Sequence, residues 1–160
     1  LINGWVHTGD IGEFDDEDYL KITDRKKDIL VNAGGDNISP TRIEAKLDIE
    51  PEIAQSMLYG DYKNYLVAVI VPDKDFAINW AKENSKDQIF ESIVKDEDFN
   101  KTMKEIVNKV NKNLSVIEQV RKFILIDHEF TIENSMMTVS MKVRRFAVKD
   151  KYGDQLEKLY

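Results

Sequence analysis

The sequence contains no cysteine, which excludes disulfides, thiolate–zinc centres and cysteine nucleophiles. Histidine is almost as scarce. His7 and His128 are the two present, and their wide separation argues against a histidine metal site. No apolar run approaches the ~20 residues needed to span a bilayer, and no stretch has the form of a signal peptide. Internal repeats and low-complexity segments are absent. Positive charge is in deficit: the formal net charge is −7 over 160 residues. That balance disfavours nonspecific binding to nucleic acid or an anionic membrane, while leaving room for a local basic patch.

What is present is ordinary globular material. Hydrophobic residues make up 42% and charged residues 33%, enough to bury a core. The length fits one domain, or one domain with a piece of another. The first residue is Leu1 within a motif-like run, so the chain is expected to be part of something longer.

The densest polar region is Thr8-Gly9-Asp10 followed by Thr23-Asp24-Arg25-Lys26-Lys27-Asp28, with a turn at Gly34-Gly35 beyond it. An opening turn is expected at Asn3-Gly4. Phe14, the acidic loop Asp15-Asp16-Glu17-Asp18 and Tyr19-Leu20-Lys21-Ile22 read as a β-hairpin. Asp28-Ile29-Leu30-Val31 is a short strand. Ser39-Pro40 marks a helix start, with serine at the N-cap and proline where its missing N–H costs nothing. Strands are expected over 55–59 and 65–71, the second apolar throughout and so central in a sheet. Helices are expected over 75–84, 87–95 and 98–114, the last with Phe99, Met103, Ile106, Val107, Val110 and Leu114 at helical spacing. A third strand is expected over 122–127, a loop over 131–142, and a final helix over 143–160 with Phe146, Tyr152, Leu156 and Leu159 on a loose apolar face that Gly153 weakens. The order predicts an α+β fold, a small sheet with flanking helices. A natural seam falls at 25–28.

Three ordered segments resemble the adenylate-forming superfamily of AMP-binding enzymes. They are Gly4-Trp5-Val6-His7-Thr8-Gly9-Asp10, the run from Tyr19 to Asp28, and Ala33-Gly34-Gly35-Asp36-Asn37-Ile38-Ser39-Pro40-Thr41-Arg42-Ile43-Glu44. The Arg-Lys-Lys-Asp and Gly-Gly-Asp-Asn-Ile-Ser-Pro versions look like the long-chain fatty acid–CoA ligase branch. Further on, the run from Phe130 to Arg145 resembles that branch's last motif. It departs at Ser135 for glycine, Val139 for proline and Ser140 for threonine.

The resemblance implies that residues 1–26 end the large AMP-binding domain with a β-hairpin, and that 27–160 form the hinge and the mobile C-terminal domain, with a small mixed sheet. It implies Asp10 as the acceptor for the ribose hydroxyls of ATP, where the residues alone would give an Asx turn. Arg25 would reach the ribose or phosphate region, or else pair with Asp24 or Asp28 at the surface. Lys27 falls on the hinge position. Gly34 and Gly35 would line the pantetheine passage of CoA, or simply turn the chain before a helix. Lys142 would enter the site for adenylation, against the plain reading of an exposed charge. His7 and His128 are expected to fill hairpin and strand-end positions, and Met136-Met137 to pack a loop.

The implied activity is that of an acid–thiol ligase, converting an acid and ATP to acyl-adenylate and then, with CoA, to acyl-CoA. Mg2+ ligands and the nucleotide pocket are expected in the large domain, so this chain is expected to be inactive alone. Fatty acid, ATP, CoA and the large domain are the implied partners. Nucleic acid is not among them, and no transmembrane segment is expected. The implied setting is cytoplasmic, with peripheral membrane contact left open. Two alternatives stand beside it: an adenylate-forming enzyme with another acid or a carrier-protein acceptor, and a non-catalytic module of the same fold.

Overall fold

The computed structural model describes residues 4–160, and Asn3 of the expected opening turn lies outside them. The first unit is a two-stranded antiparallel hairpin of β1 (Asp10–Phe14) and β2 (Leu20–Arg25). Its loop is closed by Asp15, whose Oδ1 accepts hydrogen bonds from Glu17 N and Tyr19 N. The chain then turns through Lys26–Asp28, with Asp28 N and Ile29 N both donating to the Arg25 carbonyl. A second small pair, β3 (Leu30–Val31) with β4 (Asn37–Ile38), brackets the glycine turn.

The body of the molecule is a three-stranded mixed sheet in the order β5-β6-β7: β5 (Ile53–Tyr59), β6 (Leu66–Pro72) and β7 (Val120–Leu125). β5 and β6 are antiparallel and β6 and β7 are parallel. The parallel pair requires a long crossover, supplied by α2 (Lys74–Glu83), α3 (Phe90–Ile93) and α4 (Glu97–Asn111). Every residue of β6 is buried, as its unbroken apolar run predicts. The pleat divides that run between two cores. Leu66, Ala68 and Ile70 pack with α1 (Pro40–Leu47), α2 and α4, including Ile43, Leu47, Trp80, Phe99 and Met103. Val67, Val69 and Val71 pack with α5 (Arg145–Glu157) through Val148, Tyr152 and Leu156, and with Phe130, Met136 and Met137.

Local chemistry accounts for the helix starts. Asp73 caps α2 by accepting from Phe76 N at 2.8 Å, and Asp96 caps α4 by accepting from Asp98 N and Phe99 N. Ser39 adopts the extended N-cap backbone of α1, with Pro40 at the first helical position, but makes no side-chain cap bond to the first turn. Two expectations need correction. The helix expected over 87–95 contracts to Phe90–Ile93, with Ile89 outside it as an exposed N-cap residue. Phe146 does not belong to the buried stripe of α5: it is 81% exposed, and Val148, Tyr152 and Leu156 at four-residue intervals take that role.

His128 follows β7, as a strand-end residue should. Its Nδ1 lies 2.7 Å from Asp127 Oδ1 and its Nε2 lies 2.5 Å from the Tyr152 hydroxyl, tying the end of the strand to α5. Met136 and Met137 are buried against the second core. No helix is long and apolar enough to cross a membrane, among the described residues.

Candidate active-site cleft

The hairpin register sets Asp10, at the start of β1, directly opposite Arg25, at the end of β2. Asp10 N donates to Thr8 Oγ1 at 3.1 Å, so Thr8 shapes the turn. Arg25 Nε lies 3.2 Å from Asp10 Oδ1. The pair with Asp10 lies across the two strands of the hairpin; the side chain of Asp24, one of the two surface partners expected beside the ribose reading, lies outside the described ones.

Beside this rung, α1 contributes Thr41, Glu44 and Ala45, with Asp48 at its C-cap, the loop before α5 contributes Ser140, Met141, Lys142 and Val143, and α5 begins with Arg145. Together with Asp10, Thr23, Arg25, Asp28 and Ser56 they line a cleft of about 850 Å3. Two segments distant in sequence, the hairpin and the loop before α5, therefore bring Asp10, Arg25 and Lys142 to one cavity. Gly34, Gly35 and Lys27 are not among its lining residues.

Lys142 sits in a tight turn. Thr138 N donates to the Lys142 carbonyl at 2.8 Å, and Lys142 N donates to Thr138 Oγ1 at 3.1 Å. Met137 and Val143 form an antiparallel bridge around it. Two non-glycine residues of this loop take left-handed backbone, Ser135 at φ +62° and Met141 at φ +59°. Ser135 thus keeps the conformation that glycine would favour at that point of the motif.

The glycine turn has its own frame. Asn32 closes it by accepting from Asp36 N through Oδ1 at 2.9 Å and donating from Nδ2 to Asp36 Oδ2 at 2.9 Å. Gly35 has φ +87°, in the region that only glycine enters without strain. Asp36 therefore shapes the turn together with Asn32.

Glu44, Asp48 and Arg145 are cleft residues that carried no assigned role from the sequence. Glu44 is 7% exposed, and its Oε1 accepts from Leu58 N at 2.6 Å and from Arg145 Nη1 at 2.5 Å, while Oε2 accepts from Arg145 Nη2. Asp48 Oδ1 accepts from Ser56 Oγ at 2.6 Å. Asp48 keeps an open side towards solvent, but burial of its carboxyl pushes the pKa up to about 6. The Ser56 hydroxyl opposes that rise and the neighbouring Glu44 charge adds to it. One signal did exist: Glu44 is a charge beside Ile43 and Leu47, the apolar stripe of α1, where a carboxylate needs a partner.

A small mixed sheet with helices on both faces, following a hairpin whose polar rung opens onto a cleft, defines the class. The chain belongs to the AMP-binding enzyme C-terminal domain family, whose model matches residues 27–160. The chain is 34% identical over 160 residues to long-chain-fatty-acid–CoA ligase FadD15 of Mycobacterium tuberculosis, a match covering 99% of this chain and 27% of that protein. The chain thus spans about a quarter of that relative's length. Among solved structures it resembles the adenylation domain of the carboxylate reductase from Mycobacterium chelonae, with TM-score 0.81 and 28% identity over 96% of this chain and 22% of that one. It also resembles the A-PCP didomain of carboxylic acid reductase from Segniliparus rugosus in complex with AMP, with TM-score 0.72 and 27% identity over 96% of this chain and 20% of that one.

Proposed function

We infer that this chain is the C-terminal part of an ATP-dependent long-chain fatty acid–CoA ligase. In this reading residues 1–26 end the large AMP-binding domain, and 27–160 are the hinge and the small domain. One observation carries it: Asp10, Arg25 and Lys142 line a single cleft, and adenylate formation needs a ribose acceptor and a cation in one place.

In the first half-reaction a carboxylate oxygen of the acid attacks the α-phosphorus of ATP. The bond to pyrophosphate breaks, and acyl-adenylate forms. Asp10 accepts hydrogen bonds from the ribose hydroxyls, two lone-pair-bearing oxygens facing a cis-diol. Arg25 holds that carboxylate in place and presents its fork to the ribose or phosphate. Lys142 Nζ offsets the charge that builds on the phosphoryl oxygens. In the second half-reaction the CoA sulfur attacks the acyl carbonyl, and AMP leaves with the electron pair of the broken C–O bond. For that step the small domain turns about Lys27, and Gly34 and Gly35 line the pantetheine passage. Mg2+ screens the phosphates when bound. Its ligands are assigned to the large domain. The enzyme is taken to be cytoplasmic, with contact to a membrane surface only at its periphery.

The test is a comparison of half-reactions in the whole enzyme. Lys142→Ala is expected to lower ATP–pyrophosphate exchange by about 100-fold or more while sparing thioester formation from supplied acyl-adenylate. Equal loss in both would refute the assignment. The 160-residue chain alone is expected to catalyse neither half. A second reading, in which a carrier-protein thiol replaces CoA, draws support from the likeness to the A-PCP didomain. Assaying the whole enzyme with CoA and with a pantetheinylated carrier protein separates the two.

A further inference from the structure

Lys142 is exposed, and its own side chain does not determine where it enters the cleft. The backbone around it is anchored in two places. On one side Met136 and Met137 are buried in the second core, and Arg144 N donates to the Met136 carbonyl at 2.7 Å. On the other side, three residues beyond Lys142, Arg145 clamps Glu44 with both guanidinium nitrogens. Glu44 is in turn pinned to β5 by Leu58 N. The side chains of the pair are 22% and 10% exposed.

A buried ion pair is a poor source of net stability, because desolvation cancels most of the attraction. It is a good source of geometry. The planar fork and the carboxylate meet in one bidentate arrangement, and Leu58 N–H fixes the carboxylate's own rotation. Neither Glu44 nor Arg145 needs to touch a substrate for this to matter. A displacement of about 1 Å in a reacting group can cost on the order of 100-fold in rate.

We propose that Glu44 and Arg145 are positioning residues for adenylation: their bidentate pair fixes the exit of the Thr138–Lys142 turn and so sets where Lys142 Nζ meets the reacting phosphate. The proposal rests on the assignment of Lys142 made above. It assigns to the pair an effect on one half-reaction only, which a general contribution to folding would not produce.

The experiment uses the whole enzyme with three variants. Glu44→Gln keeps an acceptor for Leu58 N–H and removes the charge. Arg145→Lys keeps the charge and removes the fork. Lys142→Ala is the reference. For Glu44→Gln and Arg145→Lys, kcat for ATP–pyrophosphate exchange is expected to fall roughly 10- to 100-fold. KM for ATP and thioester formation from supplied acyl-adenylate are expected to stay within about twofold. The double variant is expected to be no worse than the poorer single one, since both break the same contact. Equal loss in both half-reactions, or no loss in either variant, overturns the proposal. If Lys142→Ala itself spares exchange, the reading of the cleft falls and this proposal falls with it. If Lys142→Ala abolishes exchange while the two pair variants keep it, only the positioning role is refuted. Glu44→Gln is the milder change and keeps the test decisive should Arg145→Lys fold poorly.

Discussion

Asp10 Oδ1 and Arg25 Nε face each other at 3.2 Å across the open end of the β1–β2 hairpin. The Arg25 side chain is 64% exposed, so the pair contributes at most about 1 kcal/mol to stability. Its value lies in holding two polar groups at the cleft mouth. In the whole enzyme, Asp10→Asn is expected to raise KM for ATP about tenfold or more, by halving the acceptor capacity offered to a diol. Melting temperature should change little. Steady-state kinetics beside a thermal melt checks both; a large loss of stability with unchanged KM would assign Asp10 to the fold.

Asp48 predicts a pH dependence. Its folded pKa of about 6 lies above the ordinary carboxylate value of 3.8, and burial is the leading cause. The folded state therefore binds the proton more tightly than the unfolded chain. The stabilising contribution is fully present below pH about 4 and is lost as pH rises through about 6. Because the residue is partly open to solvent, the penalty at neutral pH is about 1 kcal/mol after screening. Asp48→Asn keeps an acceptor for Ser56 and removes the charge. Urea unfolding should find this variant more stable by about that amount at pH 8 and indistinguishable at pH 4. A gain of equal size at both pH values would rule out titration as the cause.

Ser135 holds φ +62° in an exposed loop. An L-residue pays about 1 kcal/mol for that backbone, and glycine does not. After the entropy that glycine adds to the unfolded chain, Ser135→Gly is expected to stabilise the protein by roughly 0.5 kcal/mol. Denaturant titration measures it, with Ser135→Ala as the control that should give no gain.

Gly153 lies inside α5, and a methyl group there would meet only Lys149 Cγ, at 3.8 Å. Nothing in that helix requires glycine at this position. Gly153→Ala is expected to stabilise by about 0.5–1 kcal/mol, a rise of about 2 °C in Tm. A fall in Tm would mean that the site cannot accept the methyl group.

Legibility in the sequence followed the strength of local patterns. Seven unbroken apolar residues placed β6 at the centre of the sheet, and the strip from Phe99 to Leu114 marked α4 as a helix, which the structure packs into the core. Two-residue strands such as Asn37–Ile38 have no period to detect. The stripe of α5 was misjudged because its apolar residues are few, and Phe146 looked as suitable as Val148. At the cleft, motif residues such as Asp10, Arg25 and Lys142 could be named individually. The Glu44–Arg145 clamp could not, because its partners lie far apart in the chain and only tertiary packing brings them together.

Among the described residues, the β1–β2 sheet has one neighbour per strand and so two open edges. Phe14, Tyr19, Leu20 and Ile22 are all well over half exposed on it, as is Trp5 just before it. A lone pair of strands is marginal in water, and open apolar edges invite association. In the 160-residue chain by itself, these amides should be the first to exchange with solvent, and the protein should bind apolar dyes and self-associate at high concentration. On the reading proposed above, adding the large domain would quench all three behaviours together, and dye binding would then read out that docking directly.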